Sequence, residues 1–398
     1  MSDTYMSMMS LPLFDPVTPG VRFLVATIVC ASACLLLWVL AALHRHRLHR
    51  IPVRIHVAGT RGKSTVVRLV AAGLRAGGYR VVAKVTGTEP VTILPDGSER
   101  RIRRWGAAAI REQRHFISAA RRAGADAIVV EAMAIEPEYL RALERFYIRA
   151  TDLIITNVRP DHQEQLGPDP GAMAAALAQA MPHDSRVFLA AEAAVDVVLE
   201  RAAAHGSEVS IAPAGNEGEP EDANRMLALD VCRRYGVADE IAIPAMQHAQ
   251  RDIGEFTVKP LSIEGRSVRF ANAFSCNDVQ SFELLWRRHQ PAERPSAFLF
   301  NARSDRPLRS REFLNALARL SPGALLFLTP GGGMLRGRAR RAGFAPARIH
   351  LLPGTGADAQ LRAVAREVAD GTVVWGTGNF KGAGAAISER VSTLPLSC

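Results

Sequence analysis

Val53-Arg54-Ile55-His56-Val57-Ala58-Gly59-Thr60-Arg61-Gly62-Lys63-Ser64 is the stretch whose reading settles the fold. Val53, Ile55 and Val57 alternate with more polar neighbours as a short strand does, and Val66, Val67, Leu69 and Val70 then take up helical spacing. Strand, glycine-bearing loop and helix together make a phosphate-binding loop by context. Gly59 and Gly62 permit backbone angles that turn successive N–H groups toward an anion, and the helix N-terminus adds its dipole. Lys63 supplies a point charge and Ser64 a hydroxyl for Mg2+. The standard spacing would put glycine where Val57 stands, so a tight glycine turn carrying a surface lysine is the bland alternative for this stretch in isolation.

Upstream of the loop, residues 1–20 are polar, contain proline, and read as a flexible N-terminal tail. Residues 21–43 hold an uncharged run from Phe23 to Leu43, long enough for one transmembrane helix across a hydrocarbon core of about 30 Å. Residues 44–52 form a basic juxtamembrane linker containing His44, Arg45, His46, Arg47, His49 and Arg50. The positive-inside rule then places the large C-terminal body in the cytoplasm, single-pass at the cytoplasmic (inner) membrane. A cleaved signal peptide fits poorly, because the preceding tail is not strongly basic.

Downstream, continuous apolar strands alternate with helices: strands at 79–85, 126–130, 153–156, 186–190 and 207–211, with helices between them. That is the pattern of a parallel sheet covered on both faces. From Met246 to about Arg269 the pattern becomes β-like, and strands and helices alternate again to residue 391. The expected architecture is α/β: a parallel-sheet phosphate-loop ATPase domain over 53–250 and a smaller C-terminal α/β domain over 251–398, preceded by the transmembrane helix.

Composition narrows the function classes. The 398 residues are 48% hydrophobic and 22% charged, with formal net charge +10, so disorder is not the default. Lysine occurs only at Lys63, Lys84, Lys259 and Lys381, so a lysine inside a glycine loop stands out. The basic excess fits nucleic acid, an anionic membrane or an anionic substrate. Nucleic acid is the minority reading, with no paired zinc site beside a recognition helix and no aromatic-rich basic sheet. The five cysteines lack CxxC spacing, which argues against a disulfide framework or structural zinc.

Polar groups just past strand ends belong to the ligand edge of such a sheet. Glu131 abruptly ends the apolar run Ala127-Ile128-Val129-Val130, and a carboxylate there suits Mg2+ or a metal-bound water. His162 follows Asp161 after another strand and offers a metal ligand or polar anchor. An exposed strand end and a solvated histidine are the bland readings of each alone. Convergence of both with Lys63 and Ser64 on one edge favours chemistry.

The combined motifs GTRGKST (59–65), VTGTEP (85–90), EAMAIEPEY (131–139), NVRPDHQEQLG (157–167), NRMLALDVCRRYG (224–236), FANAFSCNDVQS (270–281), FNARSDRP (300–307) and WGTGNFKG (375–382) resemble the Mur ligase superfamily. Within it they are most similar to the ATPase/ligase subunits of poly-γ-glutamate synthases, which act in capsule biosynthesis. This resemblance implies that Gly59, Thr60, Arg61, Gly62, Lys63, Ser64 and Thr65 hold ATP phosphates and Mg2+, with Thr86 and Thr88 beside them. It implies further that Ser64, Thr88, Glu131 and His162 are metal ligands, that Asn224 contacts adenine, and that Arg251 reaches the γ-phosphate. Asp305 and Arg306 would serve the ribose and phosphates from the second domain, and Asn277 and Asp278 lie in its interdomain motif. Where many Mur enzymes carry a carbamylated lysine, residues 172–181 hold none, so a second metal would lean on other ligands or water.

The implied activity is an ATP-dependent amide ligase that polymerises glutamate through an acyl phosphate, with ATP and Mg2+ as cofactors. The implied partners are glutamate, poly-γ-glutamate, small membrane subunits of a synthase/export complex and, as an open option, a second copy of the chain. Two alternatives stay open at this level: another membrane-anchored ATP-dependent amino-acid ligase, and an assembly ATPase without ligase chemistry.

Overall fold

The computed structural model describes residues 19–394 apart from 88–89, 105–109, 111, 135, 159–168, 214–219, 251–255, 277, 303–306, 331–332 and 355. Helix α1 (Pro19–His49) leads directly into β1 (Val53–Ala58), and the first lobe is built around that strand. Its other strands are β2 (Val81–Val85), β3 (Val91–Ile93), β4 (Glu99–Arg101), β5 (Ala127–Glu131), β6 (Asp152–Ile155), β7 (Arg186–Ala190) and β8 (Glu208–Ala212). They form one sheet in the order β4-β3-β2-β5-β1-β6-β7-β8. β2, β5, β1, β6, β7 and β8 run parallel. β3 and β4 add an antiparallel edge, so the sheet is mixed rather than purely parallel. The hairpin arises at Asp96-Gly97-Ser98, where Gly97 takes φ +85 and Asp96 accepts from the Ser98 hydroxyl at 2.7 Å.

Residues of β1 alternate between two cores. Ile55 and Val57 pack with Val66, Val70 and Leu74 of α2 (Lys63–Ala76) and with Leu227 and Val231 of the helix Pro220–Arg234. On the opposite face, Leu153, Ile155, Val187 and Leu189 pack with Met173 and Val198. Beside them Ile128 and Val130 pack against Phe116 and Ile117 of α3 (Glu112–Arg122). Leu48 and Ile51, at the end of α1 and in the link to β1, join this cluster at 2% and 0% exposure. Burying two such side chains contributes about 3–6 kcal/mol of transfer free energy, so α1 is fused to the body rather than tethered to it. The stretch read as a linker is helical through His49.

The second lobe has β9 (Thr257–Ile263), β10 (Arg266–Asn272), β11 (Ser296–Phe300), β12 (Leu325–Leu328), β13 (Ile349–Leu351) and β14 (Val373–Thr377), in the order β13-β12-β11-β14-β10-β9. Only β9 is antiparallel. The β9–β10 turn places Glu264 at φ 49 and Gly265 at φ 79, the two left-handed residues of a tight hairpin turn. Phe282, Trp286, Phe298, Phe313 and Trp375 fill one face, and Phe270, Leu299, Phe327 and Ile387 the other.

Three helices lie outside the sequence reading: α4 (Pro137–Ala142) with a π-type continuation through Ile148, Asp239–Gln247, and Gly333–Ala342. Pro244 inside the second, and Gly333 and Gly337 in the third, mask their helical spacing.

Candidate active site

The phosphate loop leaves β1 between its neighbours β5 and β6. Gly59 and Gly62 take φ +132 and +76. A Cβ on Gly59 would stand 2.1 Å from Thr156 Oγ1, and one on Gly62 would stand 2.7 Å from Asn224 Oδ1. Both positions therefore require glycine for backbone angle and for space. Gly62 caps α2, directing that helix's N-terminus to the loop mouth. Lys63 Nζ donates to the carbonyls of Gly59 (2.8 Å) and Thr60 (3.3 Å), which holds the ammonium over its own loop. Thr65 follows on the first turn of α2.

The two flanking strands deliver the polar partners. From the end of β5, Glu131 Oε2 accepts from Ser64 Oγ at 3.0 Å and from the Thr86 backbone N–H at 2.6 Å. From the end of β6, Asn157 brackets the loop. Its Oδ1 accepts from Thr60 Oγ1 (2.6 Å) and the Arg61 N–H (2.8 Å), while its Nδ2 donates to the Arg61 carbonyl (2.9 Å). Thr156 Oγ1 donates to the same carbonyl at 2.5 Å. These two residues received no role in the sequence reading. The signal that could have found them was their place at a strand end beside β1, which depends on strand order.

The residues present fit an Mg2+ ion. Two ligands at about 2.1 Å and at right angles around Mg2+ lie about 3.0 Å apart, which is the Ser64 Oγ to Glu131 Oε2 spacing. Among the described residues, no group of three or more His, Cys, Asp or Glu side chains gathers as a metal cluster. Phosphate oxygens and water would complete the shell, as is usual for Mg2+ held with a nucleotide.

The second lobe reaches this loop through Asp278, which accepts from Arg61 Nη2 at 2.8 Å with its Oδ2. Its Oδ1 caps the helix Val279–His289 by accepting from the Ser281 N–H at 2.7 Å. The nearby Cys276 thiol is pushed up to about 12 by burial, with the Asp278 charge adding to it. At the strand ends of this lobe Asn301 Nδ2 donates to the Asn379 and Lys381 carbonyls at 2.7 and 2.8 Å, and its Oδ1 accepts from Thr329 at 2.8 Å. The motifs at 300–307 and 375–382 are thereby tied into one edge. Among the sequence-derived candidates, Thr88, His162, Arg251, Asn277, Asp305 and Arg306 lie outside the described residues. Asn224 stands against Gly62 at the phosphate loop.

Residues 258–394 match the family model described as the poly-gamma-glutamate synthase CapB C-terminal domain. The chain is similar to CapB proteins. PGA synthase CapB of Bacillus subtilis (strain 168) is 27% identical over 380 residues, covering 90% of this chain and 96% of that one. Capsule biosynthesis protein CapB of Bacillus anthracis is 29% identical over 286 residues, covering 68% of this chain and 61% of that one. Among solved structures, a Mycobacterium tuberculosis folylpolyglutamate synthase complexed with ADP superposes with TM-score 0.64 at 18% identity, covering 90% of this chain and 94% of that one. Escherichia coli FolC in complex with DHPP and ADP gives TM-score 0.61 at 15% identity, with 89% and 92% covered. The fold is thus that of the folylpolyglutamate synthases.

Proposed function

We propose that this protein is an ATP-dependent ligase that extends poly-γ-glutamate, anchored by α1 in the cytoplasmic membrane with its two lobes in the cytoplasm. The observation that carries the reading is the cradle of Gly59, Gly62, Lys63 and Ser64 facing Glu131, in a chain similar over 90% of its length to a PGA synthase.

In this reading the terminal carboxylate of the growing chain attacks the γ-phosphorus of ATP, the bond to the β,γ-bridging oxygen breaks, and ADP leaves. The glutamate amine then attacks the acyl-phosphate carbonyl, loses a proton and expels phosphate, leaving an amide. Lys63 and the backbone N–H groups of the loop stabilise charge on the transferring phosphoryl group. Ser64 and Glu131 hold Mg2+, which when bound neutralises phosphate charge; Thr88 and His162 complete that role by resemblance. Arg251 is assigned to the γ-phosphate, Asn224 to adenine, and Asp305 with Arg306 to the nucleotide from the second lobe. Closure of the lobes, with Arg61 meeting Asp278, would keep water from the hydrolysable intermediate.

The test is a full-length preparation with its co-expressed small membrane partners, assayed for glutamate-dependent phosphate release and for hydroxamate formed by hydroxylamine. Wild type should give both, and Lys63→Ala and Glu131→Ala should lose both by about 100-fold or more. ATP hydrolysis that ignores glutamate and yields no hydroxamate would sink the proposal and favour an assembly ATPase.

A further inference from the structure

His44 is the first polar residue after the apolar run of α1. Its Nε2 hydrogen-bonds with the Tyr147 carbonyl at 2.9 Å, and the two rings meet edge to face at 6.0 Å. Whatever the tilt of α1, this contact puts Tyr147 at the depth where the helix passes from hydrocarbon to headgroups. The two residues before it are Arg145 and Phe146. Phe146 is 60% exposed, although it belongs to the turn that buries Leu143 and Ile148. The Arg145 guanidinium lies 5.4 Å from its ring centroid.

The charged side chains that segments 45–50 and 145–149 leave on the surface are arginines. Arg45, Arg50, Arg145 and Arg149 are exposed, and Arg47 is half-buried. The carboxylate within the same segment, Glu144, is turned inward, where it meets His56 Nδ1 at 3.2 Å and accepts from the Ala150 N–H at 2.6 Å. An exposed aromatic ring flanked by arginines at headgroup depth matches the interfacial belt of membrane proteins, and an anionic leaflet supplies the opposite charge.

We propose that the surface carrying Arg145, Phe146 and Arg149 docks on anionic phospholipid headgroups of the membrane that holds α1. Phe146 enters the headgroup layer and the arginines pair with lipid phosphates. Since Leu48 and Ile51 fuse α1 to the core, this second contact fixes the orientation of the ligase body on the bilayer. The proposal rests on α1 spanning the membrane, and its test separates the two.

The full chain carrying Phe146→p-benzoylphenylalanine is reconstituted into nanodiscs of phosphatidylglycerol or of phosphatidylcholine, irradiated, and analysed by intact-protein mass spectrometry. Parallel samples carry the probe at Leu36, inside the apolar run, or at Leu351, exposed on β13 of the second lobe. Lipid adducts are expected at 36 in both discs, at 146 in phosphatidylglycerol with a several-fold lower yield in phosphatidylcholine, and at 351 in neither. Adding Arg145→Glu and Arg149→Glu should cut the yield at 146 by about five-fold or more, in line with the attraction of each arginine for an anionic surface. Adducts at 36 without adducts at 146 overturn the docking while the anchor stands. No adducts at either position overturn both, and a protein adduct at 146 in place of lipid overturns the choice of partner.

Discussion

Replacing Asn157 with alanine should damage ATP binding although no chemistry is assigned to this side chain. The amide makes three hydrogen bonds, all to Thr60 and Arg61 of the phosphate loop. Each contributes about 1 kcal/mol net, and an N–H left unpaired in a largely enclosed place costs about 1 kcal/mol or more. The Arg61 carbonyl keeps Thr156 as its donor, so the loss centres on the Thr60 hydroxyl and the Arg61 N–H. The loop geometry is then less favoured by about 2–3 kcal/mol, a roughly 30- to 140-fold rise in KM for ATP if the cost falls on nucleotide binding. Asn157→Asp keeps the acceptor for Thr60 and Arg61 but removes the donor and brings a carboxylate toward the polyphosphate. It should lose less thermal stability than Asn157→Ala while binding ATP at least as poorly. The assay pairs ATP titration with thermal denaturation of the same samples. A KM for ATP within about two-fold of wild type in Asn157→Ala, alongside a lowered Tm, would show that Asn157 serves folding and not the loop.

Gly62→Ala places a side chain at φ +76 and against Asn224; strain of about 1–2 kcal/mol plus the collision should weaken ATP binding ten-fold or more without changing the circular dichroism spectrum, and unchanged affinity in calorimetry would contradict the cradle. Glu131→Gln retains an oxygen for Thr86 but loses the charge, so turnover should fall and half-saturation with MgCl2 should move upward; a Mg2+ titration superposing on wild type refutes the assignment of Glu131 to the metal. Lys84 is fully buried and sits 3.3 Å from Glu112 Oε2, and burial holds its pKa below the ordinary lysine range, with Glu112 opposing in part. Because the folded pKa lies below the unfolded value of about 10.4, the folded state binds fewer protons in that interval and stability rises with pH through it. Lys84→Met should flatten that rise in urea midpoints measured from pH 7 to 10.5, and an identical slope in both proteins would refute it.

Much of the first lobe is legible along the chain, because its information is local. β1, the turn at Gly59 and Gly62 and the helix from Lys63 follow one another within a short window, each marked by its own period or backbone requirement. β7 coincides with the strand read at 186–190, since a continuous apolar run bounded by polar residues permits little else. The helices at 239–247 and 333–342 escaped for equally local reasons: a proline inside one, glycines in the other.

By itself the sequence determined that a phosphate loop sits between a strand and a helix, that Glu131 ends a strand, and that residues 23–43 form an apolar run of membrane-spanning length. Tertiary structure alone decided that β1 lies between β5 and β6, and hence that Glu131 and Asn157 meet the loop from opposite sides. It alone also decided that Arg61 meets Asp278 across the lobes and that His44 rests on Tyr147. Periodicity reports which face of an element is buried, but not which element covers it. Those partners are 67 or more residues apart in sequence, and strand order and lobe packing bring them together.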